Sequence, residues 1–310
     1  MIPTPLGPQR VCDAHAHLFP LSFYAGLAKQ AGITAADPAA EVARRLGWDL
    51  PPADPRELAR RWVAEMDRHG VDRMVMIHTL PGDLESAGRA VRAANGRLVG
   101  YVAVDPGADG AAADVERAVT EFGFRGVALF PALFGFSIAS EDAYEVLGVA
   151  NWHALNVFVH CGALKVGFRT RLGLPCPFDL TLANPLLLQR PAADFLKARF
   201  IVPHLGSGFF RELLMLADAR PNVYADTSGL PGWAKYLDGA PEPAAVLRQA
   251  VRVLGADRLL FGTDSTFFPR GWRRDVFDEQ LRVFQEAGLS SEEVAKVLGG
   301  NLERLLVTSD

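Results

Sequence analysis

The sequence has little or none of several features that mark particular classes of protein. Only three of its 310 residues are cysteine, too few for a disulfide framework in a chain of this size. No run approaches the roughly 18 consecutive apolar residues of a membrane span, and the N-terminal segment MIPTPLGPQR has no apolar signal region. The net charge is −4 and the basic residues are spread along the chain, so the sequence contains no basic cluster of the kind that binds nucleic acid or an anionic membrane. We therefore expect a cytoplasmic protein with no nucleic-acid or membrane partner.

The chain instead has ample apolar material, 49% of its residues, for one large core. Short apolar or β-branched runs alternate with helical patterns, from VCDAHAHLF at residues 11–19 to DRLLFGTDS at residues 257–265. This alternation indicates βα units around a parallel sheet. Eight units predict a (β/α)8 TIM barrel, a single domain spanning residues 1–310. An open doubly wound sheet is the alternative, although no glycine-rich phosphate loop follows the first strand.

Two connections between the predicted elements are unusually long. One follows the first strand, from Leu18 to about Pro55, and the other follows the fifth strand, from Ala163 to about Arg199. Loops of this length in a compact domain commonly serve as covers or as contact surfaces. We expect residues 18–55 and 163–198 to cover the barrel mouth or to form a subunit contact, the latter as part of a homodimer.

Most of the histidines fall at the ends of predicted strands. Five of the seven do so: His15, His17, His78, His160 and His204. Barrels of this kind build their active sites where the strands end, and His15 and His17, two residues apart, project from one face of a strand. Asp264 adds a carboxylate after the eighth run, and three or four such ligands are typical of a catalytic metal site. Taken singly, a strand-end histidine is more often a hydrogen-bonded core residue, and Asp264 would stabilise its own turn.

Four segments resemble a known family. DAHAHLF, VFVHCG, IVPHLGSGFF and LLFGTDSTFF are similar to motifs of the amidohydrolase superfamily, in particular the amidohydrolase-related group that includes aminocarboxymuconate-semialdehyde-type decarboxylases. The resemblance implies that a metal is held by His15, His17, His160 and Asp264. It implies that His204 lies beside the metal as a proton-transfer or polarising group, and in some members this histidine is a ligand as well.

The resemblance also bears on the number of metal ions. Members with two ions use a carboxylated lysine at the end of the fourth strand, whereas FRGVALFP carries no lysine there. One divalent ion is therefore expected, with zinc as the first choice and manganese or iron as alternatives.

Several residues near the barrel mouth are candidates for contact with a small-molecule substrate. They are His78, Arg169, Arg171 and Phe130. One arginine could clamp a carboxylate, although a solvated basic loop is the simpler interpretation. His78 could equally support another residue or pack in the core, and Phe130 could pack beneath a cover.

The predicted function is that of a mononuclear metal-dependent hydrolase acting on a small organic acid, lactone or amide. In this scheme Asp264 accepts a proton from a metal-activated water, and His204 steadies the developing negative charge. The alternative with the same residues is non-oxidative decarboxylation of an aromatic or muconate-type acid. A barrel that binds a ligand without turning it over is a third alternative, against which the complete ligand set argues.

Overall fold

The computed structural model describes residues 1–176 and 178–307 of the chain. Eight parallel strands form its centre, and they pair in sequence order. The strands are β1 (Cys12–Leu18), β2 (Arg73–His78), β3 (Leu98–Ala103), β4 (Gly126–Leu129), β5 (Asn156–Val159), β6 (Arg199–Val202), β7 (Val223–Asp226) and β8 (Leu259–Leu260). The Ala14 N–H donates to the Phe261 carbonyl at 2.8 Å, and the His17 N–H to the Ser265 carbonyl at 2.7 Å. These bonds join the first strand to the segment that follows the last, and the predicted (β/α)8 barrel is confirmed.

Helices surround the barrel and connect its strands. Helix α3 (Pro55–His69) shows why the sequence folds this way. Asp54 accepts a hydrogen bond from the Arg56 N–H, Pro55 is the first helical residue, and Gly70 ends the helix in a left-handed conformation. The helices are α1 (Leu21–Gln30), α2 (Pro38–Leu46), α3 (Pro55–His69), α4 (Leu84–Ala93), α5 (Ala111–Thr120), α6 (Pro131–Phe134), α7 (Glu141–Trp152), α8 (Gly167–Arg171), α9 (Gln189–Asp194), α10 (Phe210–Ala219), α11 (Leu230–Trp233), α12 (Pro243–Leu254), α13 (Arg274–Ala287), α14 (Ser291–Ala295) and α15 (Asn301–Leu306).

The core has two layers because parallel strands of a barrel are buried on both faces. Inside the barrel, side chains such as Val75, Ile77 and Phe158 belong to one apolar cluster. Met74 and Met76, on the opposite face of β2, belong to the outer cluster with the surrounding helices. Odd-numbered residues of β2 therefore face the barrel interior, and even-numbered residues face the helices.

An irregularity in β1 changes which of its residues face inward. The pairing of β1 with β2 shifts register between residues 13 and 16. Cys12 and Ala14 belong to the interior cluster. From His15 on, the odd-numbered side chains point inward: the ring of His15 lies 4.8 Å from that of the interior Phe158, and His17 lines the cavity. Bulges commonly re-aim side chains next to active sites, and this one directs both histidines to the same end of the barrel.

The two long connections carry helices of their own and pack against each other. We call the described residues of segments 18–55 and 163–198 the cap. Phe19, Phe23 and Trp48 of the first segment contact Phe168 of the second, with ring centroids 5.5–6.0 Å apart. The cap thus has a small apolar cluster separate from the two layers of the barrel. Within residues 1–176 and 178–307, no helix combines the length and the apolar character needed to cross a membrane.

Candidate active site

The C-terminal ends of the strands place five of the predicted polar side chains around one cavity. His15 and His17 lie on β1, and His160 directly follows β5. His204 lies in a short helical turn after β6, and Asp264 lies in the loop after β8. All five line the same cavity. The structure therefore brings together the residues predicted for the metal and for proton transfer.

Three of these residues direct ligand atoms at one another. Nε2 of His15 lies 3.3 Å from Nε2 of His17, and Oδ1 of Asp264 lies 3.7 Å and 3.2 Å from these two nitrogens. The three ligand atoms lie within 4.8 Å of one another, a spacing that could hold one metal ion. The His15 side chain is 1% exposed and that of Asp264 is 46% exposed, so the group opens to the cavity on the aspartate side.

The hydrogen bonds made by Nδ1 of His15 and of His17 indicate that this nitrogen carries a proton in both rings. Nδ1 of His15 donates to Oδ2 of Asp226 at 2.9 Å. The Thr79 hydroxyl donates to the Ile77 carbonyl, so it accepts from Nδ1 of His17 at 2.8 Å. In the neutral rings both Nε2 atoms carry lone pairs that face each other and a carboxylate oxygen. Electron-pair donors so close together need a cation among them, either a proton on His15 or a divalent metal ion, and the three ligand types fit a divalent metal ion.

The charges of the site shift the pKa values of its groups. Burial lowers the pKa of His15, but the Asp226 carboxylate outweighs burial and raises this pKa to about 9. Burial raises the pKa of Asp264, yet the contact with His17 and the nearby His15 hold it well below its usual range. Both carboxylates are therefore ionised at neutral pH, and they require a positive charge from a proton on His15 or from a metal ion.

His160 and His204 lie beside this group as neutral imidazoles. Their ring centroids are 5.4 Å apart, and that of His204 lies 4.9 Å from that of His15. Nδ1 of His204 lies 3.1 Å from the Ser228 carbonyl, which can only accept, so its proton is on Nδ1 and its lone pair is on Nε2. Nδ1 of His160 is buried without a hydrogen-bond partner among the described residues. Burial lowers the pKa of both rings, and neighbouring histidines lower it further.

A buried carboxylate that sequence reasoning missed lies behind these histidines. Asp226, the last residue of β7, is fully buried. Besides His15, it accepts hydrogen bonds at Oδ1 from the backbone N–H groups of His204 and Ser228, each at 3.0 Å, and from the Ser228 hydroxyl. Burial raises its pKa, but the charge of His15 and the hydrogen bonds lower it to about 2. The signal was available, because ADTSG ends the seventh apolar run just as GTDS ends the eighth.

Two of the site residues have unfavourable backbone conformations. The φ angles of His204 and Asp264 are 55° and 54°, in a left-handed region that residues other than glycine seldom adopt. Such strain costs of order 1–3 kcal/mol and persists only where surrounding bonds hold it. The bond from the His204 N–H to Asp226 does so at one position, and the bond from the Asp264 N–H to the His15 carbonyl, 2.8 Å, does so at the other.

The cavity at the site has a volume of about 510 Å³ and largely aromatic walls. Phe130, predicted to contact substrate, is part of the wall, and its ring centroid lies 6.0 Å from that of His160. The cap supplies much of the remaining surface. The aromatic lining residues are Phe19, Phe23, Trp48, Phe130, Phe134, Phe168 and Phe267.

The charged groups of the cavity wall are almost all basic. Arg169 and Arg171 line it as predicted, but Arg169 donates to the Gln30 side chain and the Pro175 carbonyl, both at 2.9 Å, and Arg171 donates to the Arg45 carbonyl at 3.2 Å. These bonds link the parts of the cap. Lys165 and Arg270 also line the cavity, together with the carboxylate of Asp264. Sequence reasoning did not select Arg270, which lies only six residues after Asp264.

His78 is the predicted substrate contact that the structure does not place at the cavity. It occupies an even-numbered position of β2, and its ring is therefore on the face that packs against the helices. The side chain is 1% exposed, and neither ring nitrogen has a hydrogen-bond partner among the described residues. Burial lowers its pKa to about 4. Thr79, the next residue, lines the cavity and bonds His17 instead.

Comparison with known proteins gives a family match and a set of similar folds. The family model described as Amidohydrolase matches residues 12–307. A curated relative, Protein fluG of Emericella nidulans, is 29% identical over 109 residues. That match covers 34% of this chain and 12% of fluG, so the matched segment corresponds to a small part of that protein.

Solved structures that share the fold include both decarboxylases and hydrolases. The 5-carboxyvanillate decarboxylase LigW of Sphingomonas paucimobilis is 17% identical, with a TM-score of 0.65, over 97% of this chain and 100% of that chain. A Pseudomonas putida protein named as a 2-pyrone-4,6-dicarboxylic acid hydrolase is 20% identical, with a TM-score of 0.62, over 96% and 98%. The 5-carboxyvanillate decarboxylase of Novosphingobium aromaticivorans, solved with manganese and 4-hydroxy-3-methoxy-5-nitrobenzoic acid, is 15% identical, with a TM-score of 0.62, over 96% of each chain. Identities this low show the shared fold alone.

Proposed function

This chain belongs to the amidohydrolase family, and from that premise we propose that it is a hydrolase that uses one divalent metal ion to cleave a small organic acid, lactone or amide. The observation that carries the proposal is the convergence of electron-pair donors from His15, His17 and Asp264, with the neutral His204 beside them. Such a set is typical of a catalytic metal site, which keeps one position open for water or substrate.

The proposed ligands are His15, His17 and Asp264, with His160 as the fourth. His160 lines the same cavity, and its buried Nδ1 has no partner among the described residues. A bound metal ion lowers the pKa of a water molecule and polarises a substrate carbonyl. One ion is proposed because β4 ends at Leu129, without a lysine that could bridge a second. Zinc is the expected ion, and manganese or iron would suit the same ligands.

His204 and Asp264 are the proposed proton carriers. The Ser228 carbonyl holds the Nδ1 proton of His204, so Nε2 can accept the proton that Asp264 takes from the attacking water. The imidazolium that results then donates from Nε2 to negative charge that develops on the substrate. Asp264 directs Oδ1 at the two histidines of β1, and Oδ2 is the oxygen proposed to accept the proton of the attacking water.

The proposed substrate is a planar, largely apolar acid. The aromatic walls of the cavity suit a ring, and its basic groups suit a carboxylate. Arg270 is the proposed contact, because it donates to the backbone of Asp264 and its charge acts on His17, whereas Arg169 and Arg171 bond other parts of the cap. Its guanidinium lies 4.4 Å from the ring centroid of Phe267, and its hydrogen bonds involve Nη2 alone, to the Thr266 side chain and the Asp264 carbonyl. Within residues 1–176 and 178–307 its other N–H groups make no hydrogen bond, and they are proposed to bind a carboxylate.

Decarboxylation of an aromatic acid is the second candidate, and the same cavity favours it. Aromatic walls with basic groups would hold the ring of such an acid, while its departing carboxylate lies at the histidine end. His204 would then carry the proton that replaces the carboxylate on the ring carbon. Decarboxylases and hydrolases both occur among the proteins with this fold.

A substrate panel in labelled water tests both candidates. Metal-loaded protein is incubated with aromatic acids, lactones and amides in water enriched in oxygen-18. Hydrolysis incorporates the label into a product carboxylate without release of carbon dioxide. Decarboxylation releases carbon dioxide and leaves the aromatic product unlabelled. Absence of turnover in a broad panel, with metal bound at the site, would instead support a ligand-binding barrel.

A further inference from the structure

Asp226 takes no part in the proposed proton transfers, yet its two oxygens contact two different residues of the site. We propose that Asp226 is a positioning residue that fixes His15 as a metal ligand and His204 as a proton carrier at the same time. The inference rests on the proposed function, because it takes those two roles as its premise.

The first contact orients His15. Oδ2 of Asp226 accepts the Nδ1 proton of His15 at 2.9 Å, and both side chains are almost fully buried. This bond determines which ring nitrogen carries the proton and leaves the lone pair of Nε2 directed at His17 and Asp264. A carboxylate behind a ligating histidine also makes the imidazole a stronger electron donor. Without it, the hydroxyl of Ser228, 3.1 Å from Nδ1, would be the remaining partner of the ring.

The second contact holds His204 in its strained conformation. Oδ1 of Asp226 accepts the backbone N–H of His204, whose φ is 55°. The same oxygen accepts the N–H and the hydroxyl proton of Ser228. The Ser228 hydroxyl is therefore an acceptor toward His204, and it lies 2.8 Å from Nδ1 of that ring. Asp226 thus acts on His204 directly through the backbone and indirectly through Ser228.

The negative charge of Asp226 is compensated by residues of the site and not by a lysine or arginine among the described residues. Among the described residues its ion-pair partner within 4.0 Å is His15, and no lysine or arginine lies that close. Isolating a carboxylate in the interior is costly unless hydrogen bonds and a counter-charge compensate. Here the compensation comes from His15 and from N–H and O–H groups of the site itself, so the carboxylate and the site depend on each other.

Asp13 provides a matched control. Its carboxylate is also fully buried at the same end of the barrel. It accepts hydrogen bonds from the backbone N–H groups of His15 and Thr263, at 3.0 Å and 3.1 Å, and from the indole N–H of Trp272, at 2.8 Å. Among the described residues it accepts no hydrogen bond from an imidazole, and its charge contributes less than that of Asp226 to the raised pKa of His15. Asp13→Asn therefore weakens buried hydrogen bonds without removing the acceptor of a histidine ring proton.

The test compares Asp226→Asn with Asp13→Asn in the full chain, using cobalt(II) as the probe. Cobalt affinity is measured by competition with a chelator, and the visible absorption of bound cobalt reports its ligand geometry. We expect Asp226→Asn to weaken cobalt binding by about 10–100-fold and to change the spectrum, as loss of such partners typically does. Asp13→Asn should lower the melting temperature, keep the wild-type cobalt spectrum and change the affinity for cobalt by less than about threefold.

The outcomes separate the inference from the function on which it rests. Wild-type protein that binds no cobalt would overturn both. Wild-type protein that binds cobalt, with equal affinities and spectra in the two variants, would overturn the inference alone and leave Asp226 a structural residue.

Ser228→Ala provides a second measurement in case Asp226→Asn does not fold. Nitrogen-15 NMR of histidine-labelled, zinc-loaded protein reports which ring nitrogen carries the proton. Removal of the hydroxyl should shift the resonances of His204, identified by their absence in His204→Asn, while the affinity for cobalt stays within about threefold of the wild type. Unchanged His204 resonances would overturn the part of the inference in which Asp226 acts on the His204 ring through Ser228.

Discussion

His204 and Asp264 both approach His15, but their contacts give them different roles. Oδ1 of Asp264 lies close to the ligand nitrogen of His15. His204 instead contacts Ser228 through Nδ1, which leaves its Nε2 for proton transfer. We expect His204→Asn to retain its metal and fold normally, yet to lose about 10²–10³ in kcat with little change in KM, as when one preorganised donor is removed. Asp264→Asn should lose at least as much activity and bind the metal less firmly.

Metal content, melting temperature and steady-state kinetics of the two variants test this division. Loss of the metal from His204→Asn would make His204 a ligand and the proposed division wrong. Normal turnover of that variant would leave the histidine a structural role only.

His78 makes the stability of the fold depend on pH. Burial lowers its folded-state pKa from 6.5 to about 4, so between these values the unfolded chain binds a proton that the folded protein does not. Stability is therefore lost as the pH falls through this range, by about 1.4 kcal/mol per pH unit at most. His78→Leu removes the titrating group. From pH 7 to pH 5 the wild type should lose about 2 kcal/mol more than this variant in urea unfolding, and parallel losses would contradict the prediction.

The positions of single side chains were predictable only where chemistry marked them. His15 and His17 were assigned correctly to one face because their spacing matches the period of a strand. In β2 the run MVMIH is apolar on both sides, and such a strand contains no alternation that reveals which face is inward. His78 could therefore not be assigned a side, and it lies on the helix side.

At the scale of elements, aromatic contacts join the two segments of the cap, and a single substitution can weaken them. Phe168 of α8 contacts Phe19, Phe23 and Trp48. Replacing a buried phenylalanine with alanine typically costs about 3–5 kcal/mol of stability, and the partly buried Phe168 should contribute part of this. Its loss should therefore make this segment open locally more often, while the barrel stays folded. We expect trypsin to cleave Phe168→Ala after Arg169 or Arg171 about tenfold faster than the wild type.

A phenylalanine of the same connection serves as the control for this experiment. Phe195 packs against Tyr144 of α7, with ring centroids 5.0 Å apart, rather than against the first segment of the cap. Phe195→Ala should leave cleavage at α8 unchanged. Equal acceleration in both variants would show that the aromatic contacts do not hold the cap.

The barrel elements were easier to predict than those of the cap. Repeated βα units are constrained by the closed sheet, so eight strands and their helices follow from the pattern of apolar runs. The helices of the cap are short, and their apolar sides pack on one another rather than on the sheet. Local signals were nonetheless present for α2, where Asp37 and Pro38 begin the helix and Gly47 ends it.

For the whole molecule, the proposed metal connects parts of the barrel that are distant in sequence. Its ligands come from β1, from the end of β5 and from the loop after β8, so binding favours the closed, folded barrel over the unfolded chain. At a free metal concentration of about 100 times Kd the gain is about 2.7 kcal/mol, which corresponds to roughly 4 °C in melting temperature for a domain of this size. Chelation should lower the melting temperature by this amount and zinc should restore it. The variant His15→Ala/His17→Ala should contain little metal and melt at one temperature with or without zinc, and undiminished metal content in that variant would refute the ligand assignment.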